Sequence, residues 1–323
     1  DAINRAGGIR IDGKQLPVEL VIEGIASSPQ HSIAAMRRLT NLERVIAVVG
    51  ANYSIDAIPA GHFAEKAVTP FISPMSTNPR TTEGRGYVFR MSFVDKRQGE
   101  AMADFAFERL GSRRAAVLLY RPDPYSDDIT KIFVDSFVGA GGRVVVKEGY
   151  ADLDRDLESA LDRIEKAAPD VIYLPNFSTD VLRQVRAIRA RGIDIPLLGA
   201  DGWSPVEFST YPEFNNTYMT AHWFAGADRF SNQYFERFGV APEPVSALTF
   251  DAFNLLFRAI DRVKRLDRKA IRRQLIDMPP YGGVTGVVDF VDSGDPEKTV
   301  IILGVRDGKI QSIEQPGNSE ASP

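Results

Sequence analysis

Alternation is the feature that most limits what this chain can fold into: short apolar runs of strand length take turns with amphipathic stretches of helical period. That pattern belongs to parallel sheets whose two faces are covered by the connecting helices. Ser28 followed by Pro29 reads as an N-cap with proline at the first helical position, and the helix it opens carries Ile33, Met36 and Leu39 inward. A strand at 45–49 follows, then a helix carrying Ile55, Ile58 and Phe63, then a strand at Phe71-Ile72. A second block repeats the grammar. Met102, Phe105, Ala106 and Leu110 mark a helix before a strand at 115–119, and Ile129, Ile132, Phe133 and Phe137 mark one face of the next helix before a strand at 144–146. Leu157, Leu161 and Ile164 form a further stripe, followed by a strand at 171–174, a helix with Val181, Leu182, Val185 and Ile188, and a strand at 196–198. After Trp223 the order changes. Helical stretches at 234–238, 246–263 and 270–278 precede strands at 287–291 and 300–305, as in a chain that returns to an earlier lobe.

Composition narrows the partners. At 323 residues and 44% hydrophobic, the chain is large enough for two cores. A net charge of -4 and no run of Lys/Arg longer than a pair leave no footing for a nucleic-acid backbone. The absence of cysteine excludes disulfides and thiolate metal sites. Runs such as 45–49 and 115–119 fall far short of the roughly 20 apolar residues of a membrane helix, so stable membrane insertion is not expected. The chain opens at Asp1-Ala2-Ile3-Asn4 in what reads as the end of a helix, so a secretory address upstream would already have been removed. The tail 315–323, rich in Ser, Glu, Gly and Pro, has too little apolar content to pack.

Catalytic patterns are missing. His31, His62 and His222 are far apart without metal-ligand spacing, and no G-x-S-x-G, P-loop or G-x-G-x-x-G string occurs, so neither an enzyme, a metal nor a cofactor is expected. What recurs is a small polar cluster beyond a strand's carboxyl end, where open α/β sheets place ligands. Gly50-Ala51-Asn52-Tyr53-Ser54 is the first; Ser54 either holds an anion together with the helix N–H groups or is only an N-cap. The loop Ser73-Pro74-Met75-Ser76-Thr77-Asn78-Pro79 is either a set of stiffened donors or an ordinary turn. Residues 120–125, Pro175-Asn176-Phe177-Ser178-Thr179 and Gly199-Ala200-Asp201-Gly202-Trp203 complete the set.

Several strings stand in an order that resembles the type I periplasmic solute-binding proteins of ABC transporters, in particular the branched-chain amino-acid (Leu/Ile/Val) receptors. They are Ala2-Ile3-Asn4-Arg5-Ala6-Gly7-Gly8-Ile9, Val48-Val49-Gly50, residues 72–79, Tyr87-Val88-Phe89-Arg90, Gln98-Gly99, Pro169-Asp170-Val171-Ile172 and residues 281–290. The resemblance implies two doubly wound, Rossmann-like α/β lobes joined by three hinge crossovers, near Val94, Ala225 and Val291. Residues 1–94 with 226–290 would form one lobe, and 95–225 with 291–314 the other. It also implies that a first strand-helix unit is missing from the chain.

By the same resemblance Ser54, Ser76 and Thr77 hold a ligand carboxylate and Asp201 meets its ammonium from the opposite lobe, for a buried ammonium needs a charged partner. Tyr125 is the aromatic clasp, Asn176 and Phe177 close over the ligand, and Asp95 adds a polar contact at the first crossover. Trp203 either shapes the side-chain pocket or packs between the lobes. The implied function is non-catalytic capture of an amino acid or similar small polar solute in an interlobe cleft. Delivery would be to an ABC permease, in the periplasm or outside the cell. The rival is a ligand-sensing domain of an amide- or amino-acid-responsive regulator or receptor.

Overall fold

The computed structural model describes residues 2–226, 228–290 and 293–313; the expected crossover at Val291 and the tail 315–323 lie outside the described residues. The first strands are β1 (Ile9–Ile11), β2 (Lys14–Leu16), β3 (Val48–Val49), β4 (Phe71–Ser73) and β5 (Val88–Arg90). Then come β6 (Arg114–Tyr120), β7 (Arg143–Tyr150), β8 (Val171–Tyr173), β9 (Leu197–Gly199) and β10 (Thr217–Ala221). The last are β11 (Tyr281–Gly283), β12 (Gly286–Val288), β13 (Ile301–Arg306) and β14 (Lys309–Ile313). The chain divides into two compact units, Asp1–Val94 with Val245–Lys298 and Asp95–Pro244 with Thr299–Pro323.

In the first unit β3, β4 and β5 form a parallel sheet, with antiparallel hairpins β1–β2 and β11–β12 beside it in sequence. Successive strand residues point to opposite faces, so Ile72 and Phe89 pack with Leu248, Leu255, Leu275 and Phe290, while Phe71 and Val88 pack with Met36, Leu39, Ala60 and Ala64. Ser28 does cap the helix Pro29–Arg37, accepting from the His31 N–H. The helix Ser54–Lys66 departs from expectation. Ile55, Ile58 and Phe63 are only half-buried, and Ala57, Ala60, Gly61 and Ala64 go inward instead. The approach there is close: a Cβ on Gly61 would lie 3.2 Å from the Thr81 carbonyl oxygen and 2.7 Å from Arg85 Nη1.

The second unit is built on a seven-stranded sheet in the order β14-β13-β10-β9-β8-β6-β7, parallel from β7 to β10 and antiparallel at β13 and β14. Leu118, Ile172 and Leu197 pack on one face with Leu161, Ile164, Val185 and Ile188; Val117, Tyr173 and Leu198 pack on the other with Phe105, Phe133 and Phe137. From β6 the chain steps outward to β7 and then crosses back to β8. The carboxyl ends of β6 and β8 therefore flank a topological switch point, where such sheets leave a crevice.

Local bonds hold the segments next to these unit boundaries. Segment 228–244 stays with the second unit, because Trp223 packs edge-on against Phe230 and the Glu243 carboxylate accepts from the N–H groups of Val206 and Glu207. Residues 293–298 stay with the first unit, because Gly294 accepts from the Arg90 N–H, Asp295 pairs with the Arg90 side chain, and Lys298 donates to Thr285.

Candidate functional site

In the first unit the polar cluster sits on the loops that follow β3 and β4. Tyr53 is the N-cap of the helix Ser54–Lys66, so Ser54 is its first helical residue and not the cap. Released from capping, the Ser54 hydroxyl meets Ser76 Oγ at 3.0 Å, and Ser76 Oγ meets Thr81 Oγ1 at 2.7 Å. Ser73 Oγ donates to the Ala51 carbonyl at 2.7 Å and accepts from the Ser76 N–H at 3.1 Å, which clamps one loop to the other.

Arg90, fully buried at the end of β5, holds the Ser76–Thr82 stretch from beneath. Its Nη1 donates to the Ser76 carbonyl at 2.7 Å and its Nη2 to the Asn78 carbonyl at 2.9 Å and Thr82 Oγ1 at 2.6 Å. Its Nε meets Asp295 Oδ1 at 2.6 Å. Thr77 Oγ1 is buried and has no hydrogen-bond partner among the described residues. A buried hydroxyl left open on a braced loop is a donor waiting for an acceptor. Two residues after Ser54, both oxygens of the buried Asp56 carboxylate also lack a partner among the described residues, and burial pushes its pKa up.

In the second unit Asp201 is the hub. It lies just past β9, and its Oδ1 accepts from Tyr125 Oη at 2.7 Å and from Gln98 Nε2 at 2.8 Å. His222, the residue after β10, places Nε2 2.9 Å from Asp201 Oδ2. Gln98 Oε1 accepts from the Asp201 N–H at 3.2 Å and from Thr220 Oγ1 at 2.7 Å, and Gln98 Nε2 also reaches Asp95 Oδ1 at 3.1 Å. Burial first, and then the Asp201 carboxylate, raise the Tyr125 hydroxyl well above the usual phenol range, so it stays a donor. Its oxygen accepts in turn from the Gly202 N–H at 3.1 Å, and the Phe177 ring stacks on it with centroids 5.1 Å apart. A Cβ on Gly202 would come within 3.0 Å of Phe177 Cδ1, so this close approach is kept for glycine.

Each unit thus gathers its own expected residues: Ser54, Ser76 and Thr77 in the first, and Asp95, Tyr125, Phe177 and Asp201 in the second. The polar groups of Asn176 and Trp203 are bonded within the second unit. Asn176 accepts from the Tyr120 N–H and donates to the Leu118 carbonyl and Gln184 Oε1, tying the end of β6 to the loop after β8. Trp203 Nε1 donates to the Leu174 carbonyl at 3.0 Å while its ring packs edge-on against Phe208 and Phe214 of the same unit. Sequence reasoning missed Arg90, Gln98, Thr220 and His222 as site builders. Among the described residues no group of three or more His, Cys, Asp or Glu side chains could hold a metal ion.

A braced hydroxyl loop suits an anion, and a buried carboxylate held on Oδ1 by two neutral donors suits a cation. A family model described as periplasmic binding protein matches residues 1–309. The chain belongs to the periplasmic binding protein family. This periplasmic binding protein is 29% identical over 209 residues to an amino acid binding protein of Pseudomonas aeruginosa; the aligned part covers 64% of this chain and 54% of that one, about half the relative's length. It superposes on a leucine-binding protein from Thermotoga maritima with a TM-score of 0.89 and 27% identity, covering 97% of this chain and 90% of that one. Against the branched-chain amino acid transporter substrate-binding protein of Streptococcus pneumoniae, in complex with isoleucine, the TM-score is 0.87 at 26% identity, with 97% and 90% covered. The fold is therefore that of the type I periplasmic binding proteins. No helix among the described residues is long and apolar enough to cross a membrane.

Proposed function

We propose that this chain captures an amino acid with a branched aliphatic side chain in the periplasm or at the cell exterior and delivers it, unreacted, to an ABC permease. One solute engages both units: its carboxylate is held by the hydroxyls of Ser54, Ser76 and Thr77, and its ammonium by Asp201. Tyr125 and Phe177 close over it, and Asp95 shapes the acidic side. Because such a solute binds better where both sets of groups meet it, it shifts the population toward a closed form that the permease reads.

The observation that carries this reading is the Asp201 carboxylate, fixed by Tyr125, Gln98 and His222 beyond the carboxyl end of β9. A buried carboxylate whose Oδ1 is held by the neutral donors Tyr125 and Gln98 suits a cationic group. The isoleucine bound by the Streptococcus pneumoniae relative supports the choice of solute class. Asp201→Asn keeps the shape and removes the charge, so the affinity for L-isoleucine measured by calorimetry is expected to fall by about 2–5 kcal/mol. Unchanged affinity in a folded variant would remove the ammonium role.

A further inference from the structure

Of the three histidines, His31 and His62 are exposed while His222 is buried with its Nε2 on Asp201. Asp201 is thus met on Oδ1 by donors that stay neutral and on Oδ2 by one that can carry a charge. Other titratable groups reach this cluster from the neighbouring elements. Asp95 comes from the start of the helix Asp95–Asp104 and shares the Gln98 amide with Asp201; Tyr125 comes from the helix Pro124–Gly139 and Tyr173 from β8. Both phenols are held neutral, by burial first and then by the Asp95 and Asp201 carboxylates. Of the groups named, an imidazole is the one whose ordinary titration range lies between pH 5 and 8.

We propose that His222 is a positioning residue that sets the charge as well as the orientation of Asp201, so that ammonium capture at Asp201 is coupled to loss of a proton from His222. The proposal rests on the amino-acid reading above. A neutral imidazole donates its Nε2–H to Oδ2 and leaves the carboxylate a full negative charge for the ligand. An imidazolium cancels that charge, and a second cation arriving at the same buried carboxylate is repelled. The proton then passes to solvent while the ammonium takes its place beside Asp201, so charge and protons balance. Acid selects against amino acids at this site, and neutral conditions favour them.

The test is calorimetric titration of the whole protein with L-isoleucine at about pH 5 and pH 8, the window in which imidazole titrates, in buffers of different ionisation enthalpy. Kd should fall as pH rises, by up to tenfold per pH unit where one full proton is released, and the buffer dependence at the acidic end should report that proton. His222→Gln, whose amide can donate to the same oxygen without titrating, should bind with a flat pH profile. The wild-type buffer dependence stands even if that variant fails to fold. Isoleucine binding with no pH or buffer dependence in the wild type overturns the proton coupling and leaves the amino-acid reading in place. No isoleucine binding at either pH overturns both.

Discussion

Arg90 offers the sharpest test of how the first unit builds its hydroxyl cluster. Arg90→Met keeps most of the apolar stem and removes the guanidinium, so the Ser76 carbonyl, the Asn78 carbonyl, Thr82 Oγ1 and Asp295 Oδ1 each lose a donor. The losses are unequal. The Ser76 carbonyl keeps the Ser92 hydroxyl at 3.0 Å, and Asp295 keeps Thr82 Oγ1 at 2.6 Å and is 33% exposed, so water can repair part of its solvation. Removing one partner of a buried ion pair costs about 3–5 kcal/mol, and the repair places this case at the lower end, about 3 kcal/mol.

The assay exploits an asymmetry. Both tryptophans, Trp203 and Trp223, belong to the second unit, so tryptophan fluorescence reports that unit while far-UV ellipticity reports both. In urea, about 3 kcal/mol at a slope of about 2 kcal/mol/M moves a midpoint by about 1.5 M. The ellipticity component that fluorescence does not share should shift by that amount. A variant within about 1 kcal/mol of wild type would refute the idea that Arg90 braces the loop carrying Ser76 and Thr77.

Three further outcomes follow from single groups. Burial brings the Lys298 ammonium down to about 8 against the Asp251 carboxylate pulling the other way, so the folded state binds fewer protons than the unfolded one above that pH. Stability should therefore rise between about pH 8 and 10.5, by up to about 3 kcal/mol, and denaturation of Lys298→Met across that range should show the slope gone. Asp56 titrates above the ordinary carboxylate range, so its protonation favours the fold and stability falls as pH rises through its folded pKa; Asp56→Asn should gain about 1 kcal/mol at pH 7 in urea unfolding. A Cβ on Gly199 would lie 2.2 Å from Trp203 Cε2, so Gly199→Ala should cost about 1–3 kcal/mol and shift the tryptophan emission.

The strands β4, β6, β7, β8 and β9 were legible because each is an apolar run facing helices on both sides. β5 ends on a fully buried arginine, and β10 alternates Thr217, Tyr218, Met219, Thr220 and Ala221, so neither has an apolar run to read. The helix Ser54–Lys66 was placed but its inward face was not, because hydrophobicity favours isoleucine where close packing demands alanine and glycine. At the site, Ser54, Ser76, Thr77, Tyr125 and Asp201 stood out as polar residues just past strand ends. Gln98 and His222 did not, since their roles depend on a residue 103 and 21 positions away, respectively, and no local pattern encodes such a partnership.

The proposal that one zwitterion is held at both ends is tested most directly by one calorimetric comparison at neutral pH: L-isoleucine against 3-methylpentanoate, the same acid without its amino group. Saturable one-to-one binding of isoleucine, with the des-amino acid weaker by at least about a hundredfold (about 2.7 kcal/mol), is the expected result. Equal affinity for the two, or no binding of isoleucine, would contradict the account.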